Sequence, residues 1–218
     1  MQTSPWQSFG KRAFDVLVSS AALLLLSPLL LAIAVAIRLD SRGPVFFRQE
    51  RVGLHFAPFQ IIKFRSMVSN AAELGGMLTA GNRDRRITRM GRLLRATKLD
   101  ELPQLINVLM GQMSLVGPRP EVRKYVDLFR DDYEQLLSVR PGITDPASIK
   151  YSDEGAILAK VDDPEHRYVT QILPEKLELS REYVAHQTCL RDIRLLTETL
   201  LRVAHSGFRK LFRAPKRS

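Results

Sequence analysis

Asp100 and Glu101 stand side by side in TKLDELPQLINVLMGQMSLVGPRPE, residues 97–121. Two adjacent carboxylates ahead of an apolar helical stripe have an ordinary use. At the positive end of a helix they cap free N–H groups and complement the dipole, worth a few tenths to about 1 kcal/mol. Leu99, Leu102, Ile106 and Leu109 supply the stripe, and Gly111 suits a C-cap. Pro103 is tolerated only in a first turn, so the helix is expected to start near Asp100. The second use is chemical. Next to guanidinium groups and a helix terminus, the same carboxylate could stay ionised and face a bound phosphate. The guanidinium groups are close in sequence. Arginines 83, 85, 86, 89, 92 and 95 precede the pair, and Arg119 lies between two prolines in VGPRPE. In the arginine-rich stretch Ile87, Met90 and Leu94 recur at helical spacing and Arg85, Arg89 and Arg92 share another face. That face reads either as a solvated surface or as one that meets phosphates or lipid headgroups. No DNA-binding motif surrounds it.

The whole chain of 218 residues carries 33 Lys and Arg against 23 Asp and Glu, a formal charge of +10, which favours an anionic partner without choosing one. Cys189 is the single cysteine, which excludes an intrachain disulfide. His55, His166, His186 and His205 lack zinc-ligand spacing.

Positioning begins with a second feature. Val16 to Ile37 is a run of 22 residues interrupted only by Ser19, Ser20, Ser27 and Pro28. As a helix it would be about 33 Å long, against a hydrocarbon core of about 30 Å. That is longer than the apolar core of a signal peptide. Pro28 has no N–H for the carbonyl of Leu24 and its ring crowds that carbonyl, while the Ser27 hydroxyl could bond a freed backbone group. A kinked spanning helix fits these residues. So does a hairpin that dips into one leaflet and returns, and the charges favour it. Lys11 and Arg12 precede the run, and Arg38, Arg42, Arg48 and Arg51 follow it. Basic residues prefer the cytoplasmic side, and only a hairpin keeps both clusters there.

After a turn at Gly43-Pro44, strands are expected at Val45 to Val52 and Phe59 to Arg65, joined through Gly53 to Pro58. Ala71 to Leu78 reads as weakly helical, followed by a flexible stretch around Gly81. Further helices are expected at Tyr125 to Leu137, Leu173 to Ala185 and Leu190 to Phe212, with RPGITDP (Arg140 to Pro146) as a second rigid loop. The last seventeen residues carry Arg202, Arg209, Lys210, Arg213, Lys216 and Arg217 with no acid. They suit either an amphipathic helix on an anionic membrane or a solubilising tail. The fold class is mixed α/β, predominantly helical with a small antiparallel sheet. Three regions are expected: 1–40 as basic N-terminus and membrane helix, 41–195 as catalytic body, and 196–218 as basic tail.

Taken in order, KRAFDVLVSSAALLLLSPLLLAIAVAIRLDSRGPVFFRQERVG, FQIIKFRSM, TRMGRLLRATKLDELPQLINVLMGQMSLVGPRPE, RPGIT and LPEKLELSREYV resemble the bacterial sugar transferase family, the monotopic phosphoglycosyl transferases. The resemblance implies transfer of a phospho-sugar from a nucleoside diphosphate sugar, a UDP-sugar by preference, to polyprenyl (undecaprenyl) phosphate. The products would be nucleoside monophosphate and the first membrane intermediate of a surface glycan such as exopolysaccharide, lipopolysaccharide or capsule. It implies a re-entrant helix broken at Ser27-Pro28, with the enzyme on the cytoplasmic face of the bacterial inner membrane. It implies Asp100 as a nucleophile that forms an acyl-phosphate, Glu101 as metal ligand or base, and Mg2+ (or Mn2+) held by this dyad. Arg95 matches a phosphate-contacting position; Lys63, Arg65 and Arg119 are weaker phosphate or nucleotide candidates that would otherwise serve as structural ion pairs. Lys11, Arg12 and the C-terminal basic residues are expected at lipid headgroups. Ala57 and Asp145 depart from the family pattern, which bears on sugar preference rather than on the dyad. Anionic phospholipid, downstream glycosyltransferases and a second copy of the chain are compatible partners, and nucleic acid is not expected. The rival reading is a non-enzymatic, basic, membrane-docked adaptor.

Overall fold

A computed structural model describes residues 10–71, 74 and 84–212, the stretch 206–212 as backbone only. Arg83, most of the expected 71–78 helix, Gly81 and the basic residues after Phe212 lie outside the described residues. The rest is mostly helical with two small sheets. One long apolar helix, α1 (Lys11–Asp40), comes first. Strands β1 (Phe46–Val52) and β2 (Pro58–Phe64) form an antiparallel pair in the register Phe46 to Phe64 and Val52 to Pro58, close to the expected boundaries. Then come α2 (Arg89–Thr97), a 3-10 turn at Leu99–Glu101, and α3 (Gln104–Leu109).

The expectation of one helix from Tyr125 to Leu137 is corrected. α4 (Arg123–Leu128) and α5 (Arg130–Leu136) are separated at Phe129, whose φ of −127° and ψ of 42° leave the helical region. The arginine-rich helix is also shorter than its apolar spacing suggested. Ile87 pairs with Met67 in a β-bridge, Thr88 caps the helix by accepting from Gly91 N, and Arg85 lies outside it. The remaining helices are α6 (Pro146–Lys150), α7 (Glu154–Leu158), α8 (Pro164–Arg167), α9 (Leu173–Ala185) and α10 (Cys189–Phe212). A wide π-type turn at Tyr168–Ile172 leads into α9. α10 runs unbroken across the boundary expected at residue 195.

The second sheet was not expected. β3 (Ser114–Val116) and β4 (Gly142–Thr144) are a parallel pair of three-residue strands. They bring the two proline-flanked loops together so closely that a Cβ on Gly142 would sit 2.1 Å from the backbone nitrogen of Gly117. Asp145, directly after β4, is fully buried; it caps α6 by accepting from Ser148 N at 2.7 Å and ties it to α9 by accepting from Ser180 Oγ at 2.7 Å.

α1 lies along this body. Phe14, Ala22 and Leu23 pack on the main core, and Ile33 and Ile37 form a second cluster with Phe64 of β2 and Leu94 of α2. Its two ends are tied to the same body. Lys11 pairs with buried Asp192 at 2.7 Å, and Arg12 donates to the carbonyls of Val108 and Leu109 at the end of α3. At the other end Asp40 accepts from the backbone N–H of Met90 at 3.0 Å. Lys11 and Arg12 therefore meet protein partners where lipid headgroups were expected. The opposite face is apolar and open, with Leu17, Leu24, Leu25 and Leu39 each at least 70 % exposed. The chain stays helical through Pro28, so the expected break is not a separation into two helices. The physical reason is local. The Ser27 hydroxyl donates to the carbonyl of Leu24 at 2.8 Å, the carbonyl that Pro28 leaves unbonded.

Asn107 sets the height of α3 on the sheet. Its side chain accepts from Ile62 N at 2.9 Å and donates to Gln60 O at 2.7 Å, filling the edge of β2 not used by β1. Asn107→Leu strands both backbone groups in a buried setting, so it is expected to lower stability by about 2–4 kcal/mol, seen as a lower denaturation midpoint of the purified chain in detergent.

Candidate functional site

Three elements converge on the dyad. β2 delivers Lys63, whose ammonium lies 2.8 Å from Glu101 Oε1. The loop after β3 delivers Arg119, which donates to that same oxygen through Nη2 and to the carbonyl of Ile143 through Nη1 at 3.2 Å. The loop is held on its far side by Glu121, which accepts from Arg51 of β1 at 3.2 Å and from the Tyr168 hydroxyl at 2.8 Å. The dyad itself sits on the 3-10 turn between α2 and α3.

The two acids end in opposite electrostatic settings. Burial raises the Glu101 carboxyl, but Arg119, Lys63 and Lys98 outweigh it and hold the group well below the usual carboxylate range. Asp100 is 8 % exposed, and burial followed by the charge of Glu101 pushes its carboxyl up, against the opposing pull of Lys63, Lys98 and Arg95. Its Oδ1 is sealed from solvent and has no hydrogen-bond partner. Guanidinium groups and a helix terminus were expected to keep Asp100 ionised; in the fold burial opposes them. Lys63 is lowered by burial, against the pull of Glu101, and Arg119 is raised chiefly by Glu101.

Of the residues expected here, Asp100, Glu101, Lys63 and Arg119 come together. Arg95, half-buried on the last turn of α2, acts on Asp100 through its charge. Arg65 does not join them. It is 4 % exposed and donates to the carbonyls of Arg42, Ser41 and Ile37, where it closes the end of α1. Ser27 and Pro28 lie on α1, outside the cluster.

Three residues of the site were not singled out in the sequence. Lys98 takes a left-handed conformation, φ 58° and ψ 13°, which ends α2 and turns the chain into the dyad. A glycine would avoid a cost of about 1–2 kcal/mol there, but would lack the charge that acts on both acids. Asn107 was a polar residue inside an apolar stripe, a signal that could have been read. Gln104 was another: it is fully buried, and neither its Oε1 nor its Nε2 meets a partner. Each unmet group costs roughly 1–3 kcal/mol.

Behind the dyad, Leu23, Leu30, Leu31 and Ala34 of α1 face Phe46, Phe64, Pro103 and Ile106 across an apolar groove of about 250 Å³. On its wall Phe64 adjoins Lys63 in the chain, and Pro103 lies two residues past Glu101.

A family model for bacterial sugar transferases matches residues 6–206. The chain belongs to the bacterial sugar transferase family. Among its relatives in that family, an undecaprenyl-phosphate glucose phosphotransferase of Komagataeibacter xylinus is 40% identical over 205 residues, 91% of this chain and 36% of the relative. A UDP-N-acetylgalactosamine-undecaprenyl-phosphate N-acetylgalactosaminephosphotransferase of Aeromonas hydrophila is 40% identical over 208 residues, 94% of this chain and 46% of that one. A UDP-glucose:undecaprenyl-phosphate glucose-1-phosphate transferase of Caulobacter vibrioides is 37% identical over 194 residues, 87% of this chain and 68% of that one. The chain spans less than half the length of the first two relatives. Those two are equally similar to this chain and are named for different sugars.

The dyad predicts opposite stability effects from neighbouring acids. A carboxyl raised in the fold favours folding below its unfolded pKa and loses that contribution as pH rises through the raised value; a depressed carboxyl contributes above its unfolded pKa and loses that as pH falls. Asp100→Asn is expected to melt above the parent at pH 7, the gap closing as pH falls toward about 4, the unperturbed carboxylate range. Glu101→Gln leaves Lys63 and Arg119 without their shared anion and is expected to cost about 1–3 kcal/mol at pH 7. Thermal melts of both variants across pH check the pair.

Proposed function

We propose that this sugar transferase moves a phospho-sugar from a nucleoside diphosphate sugar, with UDP as the carrier, to undecaprenyl phosphate at a membrane surface, and that Asp100 carries the phospho-sugar between the two. The observation that carries the reading is the asymmetric dyad: an acid with a sealed, unpartnered oxygen beside an acid clamped by Lys63 and Arg119. The printed names of the relatives support the substrate pair.

In this reading a carboxylate oxygen of Asp100 attacks the sugar-proximal phosphorus. The P–O bond to the nucleotide phosphate breaks, and nucleoside monophosphate leaves with the electron pair. An oxygen of undecaprenyl phosphate then attacks the acyl-phosphate, releasing polyprenyl-diphosphate-sugar and restoring the carboxylate. Covalent catalysis divides one hard transfer into two easier ones. Lys63, Arg95 and Arg119 would neutralise the diphosphate, with Glu101 fixing the two nearer cations. A raised Asp100 suits the step, because a more basic carboxylate is a better nucleophile once ionised.

A divalent cation fits this donor set. Among the described residues no group of three acid, histidine or cysteine side chains is placed to hold an ion. Mg2+ is ordinarily bound through one or two carboxylates plus substrate phosphates and water, which Asp100 and Glu101 would supply. When bound it would neutralise charge on the diphosphate and the leaving nucleotide.

The apolar groove beside the dyad is the natural place for the first isoprene units of the acceptor. For α1, the proposal is that both ends stay on the cytoplasmic side of the inner membrane while the open leucine face enters one leaflet. Support comes from its two anchors, Lys11 to Asp192 and Asp40 to Met90, on one and the same body. A non-enzymatic adaptor has no use for a sealed carboxylate oxygen with no partner.

Two experiments test the reading. With a UDP-sugar, undecaprenyl phosphate and Mg2+, the parent is expected to release UMP and Asp100→Asn to lose at least about 10³-fold in kcat while still sedimenting with membranes. Full activity in that variant removes Asp100 as nucleophile. In a Cys189→Ser background, Gly10→Cys and Ser41→Cys are both expected to resist an impermeant thiol reagent in spheroplasts and to react after lysis. Reaction of either one from outside ends the one-leaflet proposal.

A further inference from the structure

Gln104 makes no side-chain hydrogen bond in the fold. Its side chain is wholly buried with both amide atoms unpartnered, between the buried residues Pro103 and Leu105. Asn107, one turn later in α3, shows what a buried amide ordinarily does in this helix: it bonds Ile62 N, Gln60 O and the Gln112 side chain. A leucine or methionine at position 104 would keep the apolar packing without the unmet groups.

The position of Gln104 relative to the dyad explains why an amide stands there. Leu102 (φ −54°, ψ −37°) and Pro103 (φ −61°, ψ −15°) are both helical, so the path from the 3-10 turn into α3 is unbroken. Its backbone bonds run Leu102 N to Leu99 O, Leu105 N to Leu102 O and Ile106 N to Pro103 O, a tight winding, and helical side chains lean back toward the N-terminus. Gln104, the first residue of α3, therefore leans toward the turn that carries Asp100 four positions earlier. Asp100 Oδ1, an acceptor, is sealed and unpartnered on that turn, and Gln104 Nε2, a donor, is sealed and unpartnered behind it.

We propose that Gln104 is a positioning residue for Asp100. Nε2 and Oδ1 are not bonded to each other in the fold; the amide N–H holds Oδ1 through one buried water, and so aims Oδ2 at the donor phosphorus. The inference rests on the reading of Asp100 as nucleophile. As Oδ2 bonds to phosphorus, the charge the carboxylate shared leaves Oδ1, which becomes the acyl carbonyl oxygen and continues to accept from the water that Gln104 holds. When the acceptor phosphate displaces the phospho-sugar, the carboxylate returns in the same orientation. No proton moves and no further reactant is needed.

The test compares the purified full-length parent with Gln104→Leu, Gln104→Met and Gln104→Asn in detergent or nanodiscs. It measures melting temperature, kcat and KM for the UDP-sugar, and the rate at which the Asp100 adduct appears by mass spectrometry without acceptor. The apolar variants are expected to melt at or above the parent, to keep KM within about twofold, and to lose about 100-fold in both kcat and adduct formation, the size of effect that misplacing a reacting group by an ångström has. Gln104→Asn, which keeps the donor on a shorter stem, is expected to recover about tenfold of that loss. Apolar variants that melt lower yet turn over like the parent make Gln104 a packing residue and overturn the proposal. A rise in KM at unchanged kcat overturns it too, since that marks substrate binding rather than aim. If the parent forms the adduct and Gln104→Leu forms it equally fast, the positioning role alone fails. If the parent forms none, the Asp100 reading fails and takes the inference with it.

Discussion

Glu101 Oε1 sits between two cations that arrive from separate parts of the chain, Lys63 on β2 and Arg119 on the loop after β3. Around that one oxygen the antiparallel hairpin, the turn ahead of α3 and the proline-flanked loop take fixed positions. Each supporting contact protects it. Asn107 seats α3 on the edge of β2, the tight approach of Gly117 and Gly142 aligns the two loops, and Glu121 holds the far side of the Arg119 loop. With two cations committed to it, Glu101 is a fixed charge. Asp100, next to it, takes the opposite role: buried, raised, and with an oxygen left unmatched. Two adjacent acids become chemically different because one faces the cations and the other faces the interior.

The unmatched atoms matter for the energetics. Asp100 Oδ1 and both amide atoms of Gln104 are buried polar groups without partners, concentrated within one helical turn. Elsewhere, buried polar residues such as Asn107, Asp145 and Asp192 are bonded. Among the described residues Ser19 Oγ, Arg51 Nε and Arg65 Nε are unmatched too, one atom apiece, so the three atoms at Asp100 and Gln104 form the densest group, the pattern of a site organised for a bound partner at the expense of stability.

The long helix is part of the same construction. Its inward face contributes to both apolar clusters, and its end is closed by Arg65, a residue that looked suited to phosphate. A guanidinium with several carbonyls in reach at a helix C-terminus finds enough acceptors there without any ligand. Its outward face leaves leucines open over most of its length. The apolar groove lies where that helix meets the body, and Phe64 and Pro103 on its wall are close neighbours in the chain of Lys63 and Glu101.

Much was legible in the sequence because it is local. The apolar run, the Ser27 hydroxyl opposite the carbonyl freed by Pro28, the hairpin strands and the Leu173–Ala185 helix follow from spacing and residue type, and the ordered motifs pointed to the family. What the chain alone could not show are contacts between distant segments. Lys63 and Glu101 are 38 positions apart, and Arg119 is 18 beyond Glu101. Which cations share that carboxylate depends on the path of the backbone, not on spacing. The three-residue strands β3 and β4 are too short to show a period, and the break at Phe129 leaves the apolar pattern of its two helices intact. Sequence determined that two adjacent acids would stand just ahead of a helix among basic residues, although α3 begins at Gln104 rather than near Asp100. Only the tertiary structure decided that one is clamped and the other sealed, because burial and charge pairing are properties of the packed chain.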